Sequence, residues 1–223
     1  MNKTTKRYLE HRHREMWLQL FSEGLETYTG AETKAEVLNG QESTSLEVTS
    51  DEFSNWVCLA MDRLDNLVAD KETRRNVMLC CSNRFPIKHI KRLREKLAQT
   101  GDLDALLDFM RSDESYHGLS FYEYPNREGN IIYVTKIPYD PKGFNATHEL
   151  AERRAKYCHC PHIRPAVRDQ KPVSSTYCFC GSGWYKTLWE GVLGQSVHVE
   201  VLDTVARGAD HCRFAIHLPE LQQ

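Results

Sequence analysis

The chain has no run of about 18 apolar residues, so it offers no membrane-spanning helix. It also has no basic excess: 29 Lys and Arg stand against 31 Asp and Glu in 223 residues, which argues against nucleic acid as a partner. The one basic stretch, Lys88 to Lys96, lacks interleaved aromatics and reads as the solvated face of a helix. No internal repeat or low-complexity block is present. The opening residues, Met1-Asn2-Lys3-Thr4, run straight into charge and lack the apolar stretch of a secretory signal, so the expected compartment is the cytoplasm. The length suits one generous domain, or a core domain with a helical N-terminal extension.

Cysteine, by contrast, is plentiful: Cys58, Cys80, Cys81, Cys158, Cys160, Cys178, Cys180 and Cys212. Disulfides are rare in a reducing compartment, where clustered thiols more often bind metal or do redox chemistry.

The periodicity divides the chain into a helical region, 1–115, and a cysteine-rich α+β region, 116–223, which can also form one integrated domain. Residues 6–27 carry a helical stripe of Tyr8, Leu9, Trp17, Leu20, Phe21 and Leu25. Residues 30–50 are polar and small and read as a loop. A second helix is expected from a cap at Ser50 or Asp51, with Trp56, Leu59, Ala60, Leu64, Leu67 and Val68 buried and Cys58 a packed thiol. Further helices are expected over 71–79, 87–98 and 102–111. After Gly118 the pattern turns aromatic and β-branched. Strands over 119–124 and 130–137, separated by 125–129, form one expected hairpin, and strands over 196–205 and 212–218, separated by Arg207-Gly208-Ala209-Asp210, form another. Helices are expected over 146–157 and 183–193, the second ended by Gly194. The fold class is therefore α+β: a helical N-terminal half, then a twisted antiparallel sheet of two hairpins with packed helices.

The strongest chemical signal lies between Cys158-His159-Cys160-Pro161-His162 and Cys178-Phe179-Cys180-Gly181-Ser182-Gly183. Two Cys-x-Cys pairs roughly 20 residues apart have the separation of a two-knuckle metal site. In extended backbone, residues i and i+2 share a face, so both thiolates of a pair can meet one ion. Thiolate and imidazole donors select zinc, or less readily an iron–sulfur centre. The expected metal ligands are Cys158, Cys160, Cys178, Cys180, Cys212 and His162. The bland alternative is a set of small buried hydrophobes. A third reading is metal-free: Ser182 caps a helix starting at Gly183, and Cys180 at its N-terminus is a nucleophile with a lowered pKa, with His148, His159 or His162 as base. Glu200, facing away from the strand's valines, is a candidate base or a solvated carboxylate. One of Cys80 and Cys81 can reach the same cavity. His148 and Glu152 read as an i, i+4 pair, but His-Glu-Leu-Ala-Glu lacks the second histidine of a zinc-protease helix. Tyr177, Phe179, Trp184, Tyr185 and Trp189 suit either a ligand-pocket wall or helix–sheet packing.

Gly183 through Trp189 and Gly191, Val197-x-Val199-Glu200-Val201, and Ala206-Arg207-Gly208-x-x-x-Cys212-x-Phe214-x-Ile216 together resemble the C-terminal half of the vinyl-reductase-like small-molecule-binding domains. The same run is similar to the bacterial family named for L-2-amino-thiazoline-4-carboxylic acid hydrolase and to cysteine-rich relatives. The resemblance covers roughly residues 145–219. It implies helices on a twisted antiparallel sheet around a buried ligand pocket, and a zinc site of cysteines with a glutamate near the last hairpin. Cys212 matches the terminal cysteine of that pattern, Thr204 stands where another cysteine belongs, and Glu200 is out of register by one residue. Either Cys158, Cys160, Cys178 and Cys180 replace that site, or no structural zinc is present. The hydrolase name implies opening of a small sulfur–nitrogen ring. The function expected is a small-molecule enzyme, hydrolytic, using a zinc or reactive-thiol site. The rivals are a ligand-sensing module with structural zinc and a thiol redox or metal-carrier protein. The partners expected are a small-molecule ligand or substrate and, for assembly, a second copy in a homodimer.

Overall fold

A computed structural model describes residues 3–41, 48–112 and 125–219, with side chains from Tyr8 onward. Helix α1 (Lys3–Val37) is longer than its apolar stripe, and Gly30, at φ 83° and ψ 172°, breaks it into two pieces. The first part of the expected loop, up to Val37, is therefore helix, and 42–47 lie outside the described residues. Ala31, Glu32, Lys34, Ala35 and Glu36 are strong helix formers, and Val37 docks fully buried.

Helix α2 (Ser50–Leu67) starts one residue before the expected caps. Thr49 and Glu52 form a reciprocal capping box, the Glu52 amide donating to Thr49 Oγ1 and the Thr49 amide to Glu52 Oε2. Helices α3 (Lys71–Cys80), α4 (Ile87–Thr100) and α5 (Leu103–Ser112) complete the helical half. Asp70 caps α3, and Gly101 ends α4 in the left-handed region at φ 62°.

Strands β1 (Asn126–Glu128) and β2 (Ile131–Thr135) form a tighter hairpin than expected, turning over Gly129 and Asn130. Gly129, at φ 59°, meets the demand of a two-residue loop for positive φ. The expected strand over 119–124 lies outside the described residues. Strands β3 (His198–Asp203) and β4 (Arg213–His217) make the second hairpin, joined through Val205–Arg207 and Gly208. The sheet is wholly antiparallel in the order β1-β2-β4-β3, so β2 and β4 join the two hairpins with Ile132 opposite Ile216 and Val134 opposite Phe214.

The expected helix over 146–157 is two, α6 (Pro141–Ala146) and α7 (Leu150–Tyr157). Glu149 interrupts it by capping α7, accepting from the amides of Ala151 and Glu152 at 3.1 and 2.6 Å. His148 thus lies outside the helix that holds Glu152, and the expected i, i+4 pair is not formed. A short helix, α8 (Arg164–Arg168), follows, then a 3₁₀ turn (Ser175–Cys178) that feeds directly into α9 (Phe179–Leu193). Helix α9 starts four residues before the expected Gly183, so Ser182 is internal and its hydroxyl donates to the Phe179 carbonyl at 2.7 Å rather than capping. Gly194 ends α9 at φ 70°, as expected.

Two apolar cores result, and each draws on both sides of residue 115. The first joins Trp17, Phe21, Phe53 and Leu64 to Tyr157, Ile163, Tyr177 and Val205. The second joins Leu93 and Leu107 to Ile132, Trp189, Val199 and Phe214. Arg75, only 6% exposed, reaches from α3 to the margin of the sheet, donating to the Val199 carbonyl of β3 at 2.5 Å.

Candidate functional site: a thiol cluster on a basic cavity

The cluster forms where helix ends meet. Cys158 terminates α7, its amide donating to the Arg154 carbonyl at 2.9 Å. The Cys160 carbonyl then accepts from the amides of Ile163 and Arg164 at 3.3 and 3.1 Å, turning the chain into α8. Tyr157 donates its hydroxyl to the Lys136 carbonyl, fastening this corner to the end of β2. From the other side, Ser82 donates to the Cys180 carbonyl at 2.7 Å and fixes the first turn of α9.

The first pair leaves α7 in extended backbone at Cys158, but the second pair is not in the extended chain on which the Cys-x-Cys reading rested. In helix, residues two apart diverge by about 200°. Cys178 and Cys180, on either side of the start of α9, therefore present their sulfurs differently: Cys178 is buried, whereas Cys180 lies in a cavity wall. All eight cysteines are free thiols.

Cys160 is the centre of the cluster. Interaction with the Cys158 and Cys180 thiols, and then the charge of Lys136, outweigh burial and hold Cys160 well below the ordinary thiol range. Cys158 and Cys180 are pushed up, chiefly by that same interaction and then by burial. Cys160 is thus held low and Cys180 pushed up, the opposite of the lowered pKa expected for Cys180 from the sequence. Burial pushes Cys178 and Cys81 up and raises Cys212 to about 11. Cys58 is also raised to about 11 by burial, in keeping with a packed thiol. Of the adjacent pair, Cys81 reaches the cavity, while Cys80 packs against Gly24 of α1.

The cavity has a volume of about 690 Å³, and Cys160, Cys180 and Cys81 all line it. Its wall carries five cationic side chains, Arg14, Lys136, Lys156, Arg164 and Arg168, against two carboxylates, Glu10 and Glu152. Lys156 is paired with Glu152 and Asp140, and Arg168 with Asp51 and Asp169. Lys136 and Arg164 have no carboxylate partner among the described residues. Arg164 instead donates to the Cys158 carbonyl at 3.0 Å and stacks 4.0 Å from the Tyr139 ring centre. The Lys136 ammonium lies 5.6 Å from the Phe214 ring centre and 3.8 Å from where a Cβ on Gly181 would stand. The electrostatics favour an anion, and Trp17, Phe53 and Tyr177 provide apolar walls.

Two histidines of the motif face this space. Burial first, and the Lys136 charge second, depress His159 to about 4; its Nε2–H donates to the Ile137 carbonyl at 2.7 Å, which places the lone pair on Nδ1. His162 is 4% exposed and depressed to about 3 by burial, then by His13 and Arg14. Its Nε2 has no hydrogen-bond partner among the described residues. Its ring sits 5.0 Å from that of His13 and 5.1 Å from that of Phe53. Both motif imidazoles are neutral at pH 7.

The expected ligand set fits zinc poorly. Cys158 directs its sulfur at the Cys160 carbonyl, 3.9 Å away, and among the described residues no three His, Cys, Asp or Glu side chains are arranged to hold a metal ion. Glu200 is remote from the cluster: it is exposed on β3, within 3.2 Å of His217 Nε2. It is the solvated strand carboxylate of the two readings.

Sequence reasoning missed Lys136, Arg164, His13 and Arg14. Lys136 follows a β-branched run that reads only as a strand, and His13 and Arg14 are separated from the cysteines by some 145 residues of chain. Comparisons with family models, curated proteins and solved structures returned no match to this chain, so the reading of its site rests on the site's own geometry.

Proposed function

We propose that the chain is a small-molecule enzyme in which the Cys160 thiolate is the nucleophile and the substrate carries negative charge. The observation that carries this reading is the placement of Cys160 in the wall of a cavity with an excess of basic side chains, where neighbouring thiols and Lys136 lower its pKa. A thiolate is the nucleophilic form of cysteine, and a stabilised one needs no base to deprotonate it before each turnover.

The hydrolytic course follows from the same residues. The thiolate attacks a carbonyl carbon, Lys136 stabilises the charge that develops on its oxygen, and the bond to the leaving group breaks as that group takes a proton from solvent, leaving a thioester on Cys160. Water then attacks the thioester carbonyl, the C–S bond breaks, Cys160 returns as the thiolate and the water's proton passes to solvent. Lys136 and Arg164 hold the anionic part of the substrate.

Competition between two alkylating agents tests this reading. Limited treatment with iodoacetamide or iodoacetate, followed by peptide mapping, is expected to label Cys160 far ahead of the other seven thiols. Anionic iodoacetate is expected to gain relative to iodoacetamide, and Lys136→Met to reduce that gain and slow both reactions. Labelling that favours another cysteine, or a Lys136→Met protein unchanged with both reagents, refutes the assignment.

A further inference from the structure

We propose that Cys160 and Cys180 also form a peroxide-reducing dithiol, in which a small hydroperoxide oxidises Cys160 and Cys180 resolves the product as a disulfide. The two thiols come from different elements, the turn between α7 and α8 and the first turn of α9, yet both open onto one cavity and each perturbs the other's ionisation. Both line the same cavity, so a hydroperoxide that enters it meets both thiols. Hydrolysis through Cys160 gives Cys180 no bond to make or break. Its carbonyl is nevertheless fixed by Ser82, and its thiol lines the cavity with the nucleophile.

The chemistry balances without a metal. The Cys160 sulfur attacks one oxygen of the hydroperoxide; an S–O bond forms, the O–O bond breaks, and the alkoxide leaves as an alcohol with a proton from solvent. Sulfur has lost two electrons and is a sulfenic acid. The Cys180 sulfur then attacks the Cys160 sulfur; the S–S bond forms, the S–O bond breaks, and hydroxide leaves as water with the Cys180 proton. A low-molecular-weight dithiol restores both thiols by exchange and is itself oxidised to a disulfide.

Cys158 perturbs Cys160 as well, but it is a poorer resolving group. It is 3% exposed, its sulfur points at the Cys160 carbonyl 3.9 Å away, and a bridge between residues two apart is strained. Cys180 is half-buried and carries no such constraint.

The full-length chain, reduced and freed of reductant, is treated with hydrogen peroxide, alkylated under denaturing conditions and mapped by mass spectrometry. The expected product is a Cys160–Cys180 disulfide, reversed by dithiothreitol and still the bridge formed in Cys158→Ser. Cys180→Ser is expected to stop at a sulfenic acid on Cys160, trapped by dimedone, and Cys160→Ser to leave Cys180 reduced. Circular dichroism of each variant establishes that it is folded. Recovery of Cys160 and Cys180 both alkylated after peroxide overturns the proposal, as does a Cys158–Cys160 bridge or a Cys180→Ser protein that dimedone does not label. Alkylation of unoxidised Cys160 is read separately, so failure of this proposal leaves the nucleophile assignment testable.

Discussion

An imidazole that is nine-tenths buried, with no partner for one ring nitrogen, has to stay neutral to stay buried, and this ties His162 to the pH dependence of folding. The unfolded chain takes up a proton at each histidine near pH 6.5, whereas the folded chain resists until about 4 at His159 and about 3 at His162. Between those limits the unfolded state binds more protons, so stability falls as the solution is acidified from pH 6.5. The slope is at most about 1.4 kcal/mol per pH unit for each imidazole. Down to about pH 5 most carboxylates remain ionised, so the histidines dominate that window. His13, which stacks on His162 and is itself lowered by burial, adds in the same direction. Urea midpoints measured at about pH 7 and about pH 5 are expected to differ less in His162→Gln than in the unchanged protein. An equal difference in both would remove His162 from the account.

At the scale of elements, the helix that presents Cys180 depends on a close approach. A Cβ on Gly183 would lie 2.1 Å from Ser82 Oγ and 2.4 Å from Ser82 Cβ. Ser82 cannot turn away without giving up its hydrogen bond to the Cys180 carbonyl. Alanine in place of glycine gains about 1 kcal/mol of helix propensity, whereas overpacking costs about 1–3 kcal/mol. Gly183→Ala is therefore expected to destabilise the fold in urea titrations, and Ser82→Ala placed with it to recover part of the loss. Strictly additive effects would show that the two residues do not meet.

The same helix shows what was legible in the sequence. The end of α9 at Gly194, the hairpin of β3 and β4 and the α+β class were read correctly, whereas the strand paired with β2 is Asn126–Glu128, inside the expected loop. The start of α9 was placed at Gly183 instead of Phe179 because the reason for its first glycines lies in tertiary contacts: Phe214 and Ser82 crowd the space a side chain would fill. The thiol cluster could be anticipated from spacing, but its central sulfur could not, since that depends on which cysteine the others hold low. Lys136 and His162 acquire their chemistry from burial and neighbours, neither of which has a local signature.

For the whole molecule, the division at residue 115 does not separate two cores. Trp17 and Leu64 pack with Ile163 and Tyr177, and Leu93 and Leu107 with Trp189 and Phe214. Opening either half exposes apolar surface in both, so the described body is expected to unfold in one cooperative step. Native-state hydrogen exchange checks this: the most protected amides of α2 and β4 should open with the same free energy and the same urea dependence. Two distinct opening energies would mark two independent units.

Arg75 has a further consequence for how the protein behaves in company. A strand at the margin of a sheet invites a foreign chain to add alongside it, and β3 is such a strand. The guanidinium from α3 already holds the Val199 carbonyl and closes over His198, so an intruder must evict a sequestered cation before it can zip onto that border. Solubility at high concentration thus depends on a helix that is not part of the sheet it guards.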